Sequence, residues 1–252
     1  MALSQKIEFD LCQQRALQPA LKPAKGALTT TPVAKSYLIG LDEVGRGCLA
    51  GPVTAGAFCI AIDSLTRWQQ SPPEALARLN DSKKLAASLR GSLAQALRQH
   101  PEATWSLGWV EAAEIDALNI HQATLKAMAR ALEAVYGQLA IKGAKPANVC
   151  VLIDGRWRLP EHTLPAAAPG LIYQKPVIAG DAQSMVIAAA SVLAKVTRDA
   201  HMTQLAQTHP DYGWMQNKGY GTLAHRQALL ALGATREHRQ TFLSKILCGP
   251  LG

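Results

Sequence analysis

Tyr37-Leu-Ile-Gly-Leu-Asp-Glu43 is an apolar run closed by two adjacent acids, and the rest of the chain can be read outward from it. Asn148–Ile153 is a second apolar run, as expected of a central strand buried on both faces, and Asp154 follows it directly. Val53–Ile62 and Thr104–Val110 read as two more strands, the latter with Trp105, Leu107 and Trp109 on one alternating face. Leu171–Ile178 makes a fifth. Helical stretches separate these runs. One extends from about Lys83 to Gln99 behind a cap at Asp81 or Ser82, with Leu85, Leu89, Leu93 and Leu97 on one side. A longer one carries Ile115, Leu118, Leu125, Met128, Leu132, Val135 and Leu139 at helical steps, the stripe of a helix packed on a sheet. Within it, Asn119 and Gln122 resemble a capping box, which would divide the stretch into two helices. Further helices are expected from about Ala182 to Ala206, and from Leu223 to about Leu232 between caps at Thr222 and Gly233. This order predicts an α/β fold: a mixed five-stranded sheet flanked by helices, with a C-terminal helical lobe. The first three strands suit an antiparallel meander, with the later strands added in parallel.

Three of these elements end in acids where the chain leaves a buried segment. Asp42 and Glu43 close the first strand, Asp154 closes the fourth, and Asp181 follows Gly180 at the mouth of a long helix. A carboxylate directly after an apolar strand is costly unless something neutralises it. Each acid alone would serve as a helix cap or turn residue, Asp181 above all. Four together point to a shared site for hard cations, because carboxylate oxygens are the ligands that Mg2+ and Mn2+ favour. Two such ions about 4 Å apart suit the cleavage of a phosphodiester. The seven histidines are dispersed, without the spacing of a zinc protease, and no nucleophile elbow or P-loop competes. Gly45-Arg46-Gly47 follows the first two acids; its glycines would let backbone N–H groups approach a ligand, and its arginine would grip phosphate. The plain alternative is a tight turn with a solvated arginine.

The chain of 252 residues is 48% hydrophobic and 17% charged, which excludes a wholly disordered protein. Its net charge of +8 suits an anionic partner. The excess lies at the ends: residues 1–36 carry a net +3 and those from Lys195 onward a net +4, leaving the middle nearly neutral. Five scattered cysteines without a C-x-x-C pair support neither a zinc ribbon nor a disulfide framework, and a reducing cytoplasm is expected. No apolar stretch suits a membrane span, and the N-terminus lacks the compact apolar core of a secretory signal. Residues 1–34, with Pro19, Pro23 and Pro32, read as a flexible basic extension with at most a short helix near Ile7–Leu17. Residues 35–252 then form one unit that includes the C-terminal helices, expected to be a monomer.

The string Gly40-Leu-Asp-Glu-Val-Gly-Arg-Gly-Cys-Leu-Ala-Gly-Pro-Val53 closely resembles the opening motif of ribonuclease HII, the bacterial type 2 ribonuclease H. Four further segments resemble that family in the expected order: Asp81-Ser-Lys-Lys-Leu85, Leu152-Ile-Asp-Gly155, Ile187 to Asp199, and Lys218-Gly-Tyr-Gly-Thr222 with His225 after it. The likeness spans roughly Tyr37 to Phe242. It implies a ribonuclease H fold, cleavage of RNA in RNA–DNA hybrids, and incision on the 5′ side of single ribonucleotides embedded in duplex DNA. It also implies a 3′-hydroxyl and a 5′-phosphate as products, and a divalent metal, Mn2+ or Mg2+, held by Asp42, Glu43, Asp154 and Asp181. By position, Gly45, Arg46 and Gly47 would read the 2′-hydroxyl that marks RNA, and Tyr220 would stack on the following deoxyribose. Val44, Cys48 and Asn217 depart from the common alanine, proline and histidine of the family, and none of these changes removes a metal ligand. The related ribonuclease HIII lacks the Gly-Arg-Gly segment. Lys83, Lys84, Lys195 and Lys218 are candidates for phosphate contact, although Lys195 and Asp199, four apart on a helix, would also suit each other. Gln240-Thr-Phe-Leu-Ser-Lys-Ile-Leu247 resembles a sliding-clamp peptide without the paired aromatics, so a clamp is a candidate partner and a packed terminal helix the expected form. Two other readings stand beside this one. A non-catalytic hybrid binder would use the basic ends alone, and a small-molecule hydrolase or transferase would need a nucleophile or phosphate-loop motif that the sequence lacks.

Overall fold

A computed structural model describes residues 1–17, 35–144, 146, 148–165 and 171–247. Its centre is a five-stranded sheet in the order β3-β2-β1-β4-β5. The strands are β1 (Ser36–Val44), β2 (Val53–Ala61), β3 (Ala103–Val110), β4 (Asn148–Asp154) and β5 (Leu171–Val177). β1, β2 and β3 form the expected antiparallel meander, whereas β4 pairs in parallel with both β1 and β5. The fold class read from the sequence is therefore the one observed.

Helices cover both faces of the sheet. Those before β4 are α1 (Leu3–Leu17), α2 (Ile62–Gln70), α3 (Ala87–Gln99), α4 (Ala112–Leu118) and α5 (Ile120–Ile141). After β5 come α6 (Gly180–Gln183), α7 (Met185–Thr208), α8 (Trp214–Asn217), α9 (Leu223–Leu232) and α10 (Gln240–Leu247). Strand alternation divides β1 between them. Leu38 belongs to the core under α7, while Ile39 and Leu41 belong to the core under α5. Glycines admit the helices at unusually close range: a Cβ on Gly40 would lie 2.2 Å from the Val186 backbone carbon of α7, and one on Gly108 would lie 1.9 Å from the Ala127 carbonyl oxygen of α5. Ten consecutive residues of α7, Met185 to Ala194, are buried, because the sheet lies on one side and α1 and α3 on the other.

Three boundaries differ from the sequence reading. Residues 82–84 are a separate helical turn capped by the Asp81 side chain, because Leu85 is extended; α3 starts only at Ala87. The helix expected from about Ala182 breaks at Ser184, whose extended backbone ends α6 and whose hydroxyl caps α7 by accepting from the Ile187 N–H. Asn119 does separate α4 from α5, at φ 73° and with its side chain accepting from the N–H groups of His121 and Gln122.

The largest correction concerns the segment read as a flexible basic extension, residues 1–34. Residues 18–34 lie outside the described residues, but Leu3–Leu17 is helix α1, packed into the core. Leu3, Ile7 and Leu11 join the α7-side core, and beside them Lys6, Asp10 and Gln14 form a second buried stripe at four-residue spacing. The basic character of the sequence pointed to solvent. Asp10 instead accepts the first free N–H groups of α7, from Met185 and Val186 at 2.9 and 3.1 Å.

Helices α8 to α10 and the end of α7 pack a smaller cluster around Trp214, Tyr212, Met202 and Leu229, together with Leu49 and Ala50 of the loop after β1. α10 takes the packed form expected of it, with Leu243 buried and Phe242 against both neighbouring cores. No helix among the described residues is long and apolar enough to cross a membrane.

Candidate active site

The parallel register sets the site. Leu41 of β1 pairs with Ile153 of β4, so the next residue on each strand brings Asp42 level with Asp154. Both acids follow residues that alternate toward α7, and Glu43 falls on the α5 side. Asp154 in turn pairs with Val177 at the end of β5, from which three residues lead to Asp181. Ala179, left-handed at φ 51°, turns the chain there. The Gly180 N–H donates to Asp154 Oδ1 at 2.6 Å, which ties the two acid-bearing segments together. The four acids thus gather at the C-terminal ends of three adjacent parallel strands, where open α/β sheets bind ligands.

Their mutual influence is strong. Asp42 is only 5% exposed, and burial, followed by the charges of Glu43 and Asp154, pushes its carboxyl well above the usual range. Burial also raises Glu43, although Arg46, 3.4 Å away, opposes this. Asp181 is raised by burial and then by Asp81 and Asp154. Among the described residues no three His, Cys, Asp or Glu side chains close on a point as a finished metal cage. Two of the acid oxygens are held by backbone donors: Asp42 Oδ1 accepts from the Glu43 N–H at 2.8 Å, and Asp154 Oδ1 from Gly180. Ser191 of α7 lies close enough to Asp42 to favour its charged form, and its hydroxyl is 2.9 Å from that of Ser82.

The loop after β1 is stitched to the C-terminal helices. Leu49 and Ala50 donate to the Gly219 carbonyl, and Cys48 forms a bridge with Tyr220, bringing Gly45–Gly47 and the 39% exposed Tyr220 to one surface. Two fully buried arginines hold this arrangement from below. Arg198 donates to the carbonyls of Pro52, Lys218 and Ala50, and Arg239 to those of Gly51 and Arg46. Burial lowers Arg239 to about 10, so it keeps its charge at neutral pH. The N–H groups of Arg46 and Gly47 donate to no described residue. Gly45 must be glycine for the fold, at φ 88° and with Arg198 against it. Gly47 has an ordinary φ, and a Cβ there would meet nothing within 4 Å. The fold makes no demand for glycine at that position.

The lysines divide. Burial works against the charge of Lys83, yet Asp42, Asp181, Asp81 and Asp154 together push it up, which puts its ammonium beside the acids. Lys84 is exposed and 3.9 Å from Asp81. Lys195 pairs with Asp199 at 2.8 Å and lies 5.7 Å from the Tyr220 ring. Lys218 is tied to the Thr203 hydroxyl and the Met215 carbonyl, each at 2.6 Å.

Several contributors escaped the sequence reading. Lys6 of α1, fully buried, donates to the carbonyls of Asp181, at 2.8 Å, and Ala182, which supports the Asp181 turn from behind. Asp81 stands beside Asp181 as a fifth acid. Ser191 and Arg198 lay inside a recognised motif without a role. His225 donates through Nδ1 to the Tyr220 carbonyl; its Nε2 accepts from Trp214 and lies 3.2 Å from Nε2 of the buried His238.

Comparison with known proteins gives the family and the fold. A family model described as Ribonuclease HII matches residues 39–245. The ribonuclease HII of Rhodospirillum rubrum is 49% identical over 203 residues, covering 81% of this chain and 82% of its own. Among solved structures, ribonuclease H2 of Pyrococcus horikoshii superposes with a TM-score of 0.60 at 23% identity, over 84% of this chain and 97% of its own. Bst-RNase HIII in complex with Mn2+ gives 0.62 at 17% identity, over 93% and 80%. At these identities the structures speak for the fold.

Proposed function

The chain belongs to the ribonuclease HII family and is a ribonuclease H enzyme; from that premise we propose which bonds it cuts and with which residues. It hydrolyses RNA in RNA–DNA hybrids and incises on the 5′ side of single ribonucleotides in duplex DNA, leaving a 3′-hydroxyl and a 5′-phosphate. The observation that carries this reading is the gathering of Asp42, Glu43, Asp154 and Asp181 at neighbouring strand ends, where burial and mutual repulsion raise three of them.

That donor set fits divalent cations. Its ligands are hard oxygens, and the repulsion among them is what a cation would relieve. Asp42, Glu43, Asp154 and Asp181 would hold Mn2+ or Mg2+, which supplies Lewis acidity for an attacking water and for the leaving oxygen. The remaining steps belong to the chain. The Gly180 N–H holds Asp154 in place, and the Glu43 N–H does the same for Asp42. Lys83, beside the acids, and the exposed Lys84 neutralise phosphate oxygens. The unengaged N–H groups of Arg46 and Gly47 meet the 2′-hydroxyl, for which a bare glycine at 47 leaves room. Tyr220, 39% exposed and neutral as a phenol is at neutral pH, offers its ring to the deoxyribose that follows. Lys195 and Lys218 act at one remove, through the Tyr220 segment they hold.

The deciding experiment incubates the protein with duplex DNA containing one ribonucleotide, in Mg2+, Mn2+ or EDTA, and maps the cut. Incision 5′ of the ribonucleotide with metal, abolished in EDTA and in Asp42→Asn and Asp154→Asn, is expected. Binding without incision in both metals would instead favour a non-catalytic hybrid binder. Gly47→Ala should fold normally and lose incision; full activity in that variant would remove the role given to the loop.

A further inference from the structure

Beside α5 a cleft at the strand ends is lined by two of the acids, Glu43 and Asp154, together with Arg46, His121, Arg156 and Trp157. Gly155, at φ 100°, turns the chain immediately after Asp154. The next three residues, Arg156, Trp157 and Arg158, are all exposed. Trp157 is 59% exposed, a large aromatic surface for a loop to leave in water. Neither arginine has a hydrogen bond or ion pair to a described residue.

This display is held firmly. On one side the Gly155 N–H donates to the Val177 carbonyl at 2.9 Å. On the other, Leu159 is buried, and its N–H and carbonyl are both engaged by the Gln174 side chain at 2.8 and 3.0 Å. The Trp157 ring meets His121 edgewise at 5.1 Å, and His121 sits in the first turn of α5, fixed by the Asn119 cap. An aromatic ring between two cations that pair with no described residue, clamped at both ends and beside two of the acids, is the chemistry of a nucleic-acid contact.

We propose that Arg156, Trp157 and Arg158 form a second substrate subsite, which takes the sugar-phosphate backbone of the hybrid where it leaves the acids on the α5 side. In a duplex the bases are stacked inside, so the apolar surface within reach of Trp157 is a sugar ring, and the phosphates on either side of it meet the arginines. The subsite rests on the nuclease reading above, and it adds a grip on the strand at the opposite face of the sheet from α7.

The test measures binding of a labelled RNA–DNA hybrid by fluorescence anisotropy, in the Asp42→Asn background with Mn2+, across a range of salt. Trp157→Ala should weaken binding about tenfold, through loss of the apolar ring surface against the sugar, while Trp157→Phe retains most of the affinity. Arg156→Ala with Arg158→Ala should reduce the slope of log Kd against log salt by about two, one per lost phosphate. Urea unfolding of each variant controls for folding, which three exposed side chains should leave unchanged. Affinity and slope unchanged in both sets would overturn the subsite while leaving the nuclease reading intact, since wild-type cleavage is scored separately. Loss of affinity for polyglutamate with none for the hybrid would overturn it too, in favour of an acidic protein partner.

Discussion

Lys6→Met is the sharpest perturbation of the fold behind the acids, because Lys6 lies outside the region matched by the family model yet touches the Asp181 segment directly. Methionine keeps much of the stem and removes the ammonium. Two carbonyls, of Asp181 and Ala182, then lose their donor, and leaving buried acceptors unpaired costs about 1–3 kcal/mol each. Against this, the buried ammonium no longer has to be desolvated, a relief of several kcal/mol in the limit of an unpaired ion. Lys6 is not an unpaired ion. Burial lowers its pKa, but the charges of Asp181, Asp10 and Asp81 oppose that and favour its charged form. Asp10 softens the change further. Burial already pushes it up to about 7, so on losing the nearby cation it can take up a proton rather than remain as an uncompensated charge.

The net expectation is a destabilisation of about 2–3 kcal/mol at neutral pH, toward the low end of the cost of breaking a buried pair. Urea unfolding in EDTA measures it, with the denaturant slope checked for constancy. The same variant, assayed under conditions where it is fully folded, should need more Mn2+ for half-maximal stabilisation against urea, because the Asp181 turn has lost its support. If stability and metal dependence both match the wild type, α1 is a passive cover and the account of Lys6 is wrong.

Gly40→Ala places a Cβ 2.2 Å from the backbone of α7, which cannot swing aside as a side chain would; a loss of at least about 1–3 kcal/mol in urea unfolding is expected. Asp42→Asn should abolish cleavage yet raise the urea midpoint in EDTA, since it removes a carboxylate that burial and its neighbours disfavour; Mn2+ should then stabilise the variant less than the wild type. Burial, and after it the neighbouring His225 and His209, lower His238 to about 4 and so hold it neutral. A base depressed in this way contributes stability that is present above its unfolded value near 6.5 and lost as pH falls toward 4, by at most about 3 kcal/mol. His225, also lowered, adds to that slope, and Asp10, raised to about 7, opposes it over part of the same window. The test is therefore a difference: unfolding free energies of wild type and His238→Asn at pH 7 and pH 5 should converge on acidification, and parallel curves would count against the assignment.

What the sequence disclosed follows from what its local chemistry controls. The acid pair after Tyr37–Leu41, the division at Asn119, and the caps at Thr222 and Gly233 are written in residues that act on the adjacent backbone, so they survive folding as read. Chain segments that depend on distant partners were harder. Lys6, Asp10 and Gln14 spell an exposed polar face, and only the docking of α1 under α7 turns that face inward. The break at Ser184 is supported by Asp10, which takes over the N–H of Met185, 175 residues away, and that of Val186. Among the lysines, sequence proximity to a motif did not separate Lys83, beside the acids, from Lys218, whose ammonium is spent on Thr203 and Met215.

Arg198 and Arg239 extend this point from folding to specificity. Both are fully buried, and neither forms an ion pair with a described carboxylate. Guanidinium has donors and no acceptors, so what these side chains can bind in the loop after β1 is its carbonyls, and they take those of Arg46, Ala50, Gly51 and Pro52. With carbonyl oxygens drawn inward, the N–H groups of Arg46 and Gly47 are left without an acceptor among the described residues, beside an exposed glycine that the fold does not require. A ligand hydroxyl arriving there meets donors fixed in advance, over two cations that favour any negative charge it brings with it. The carboxylates, repelling one another at the strand ends, favour the opposite sign a few residues away. Under the proposed function the loop and the acids would select different parts of one ligand, and the Tyr220 segment, held by the same Arg198 through the Lys218 carbonyl, would join the two selections in one surface.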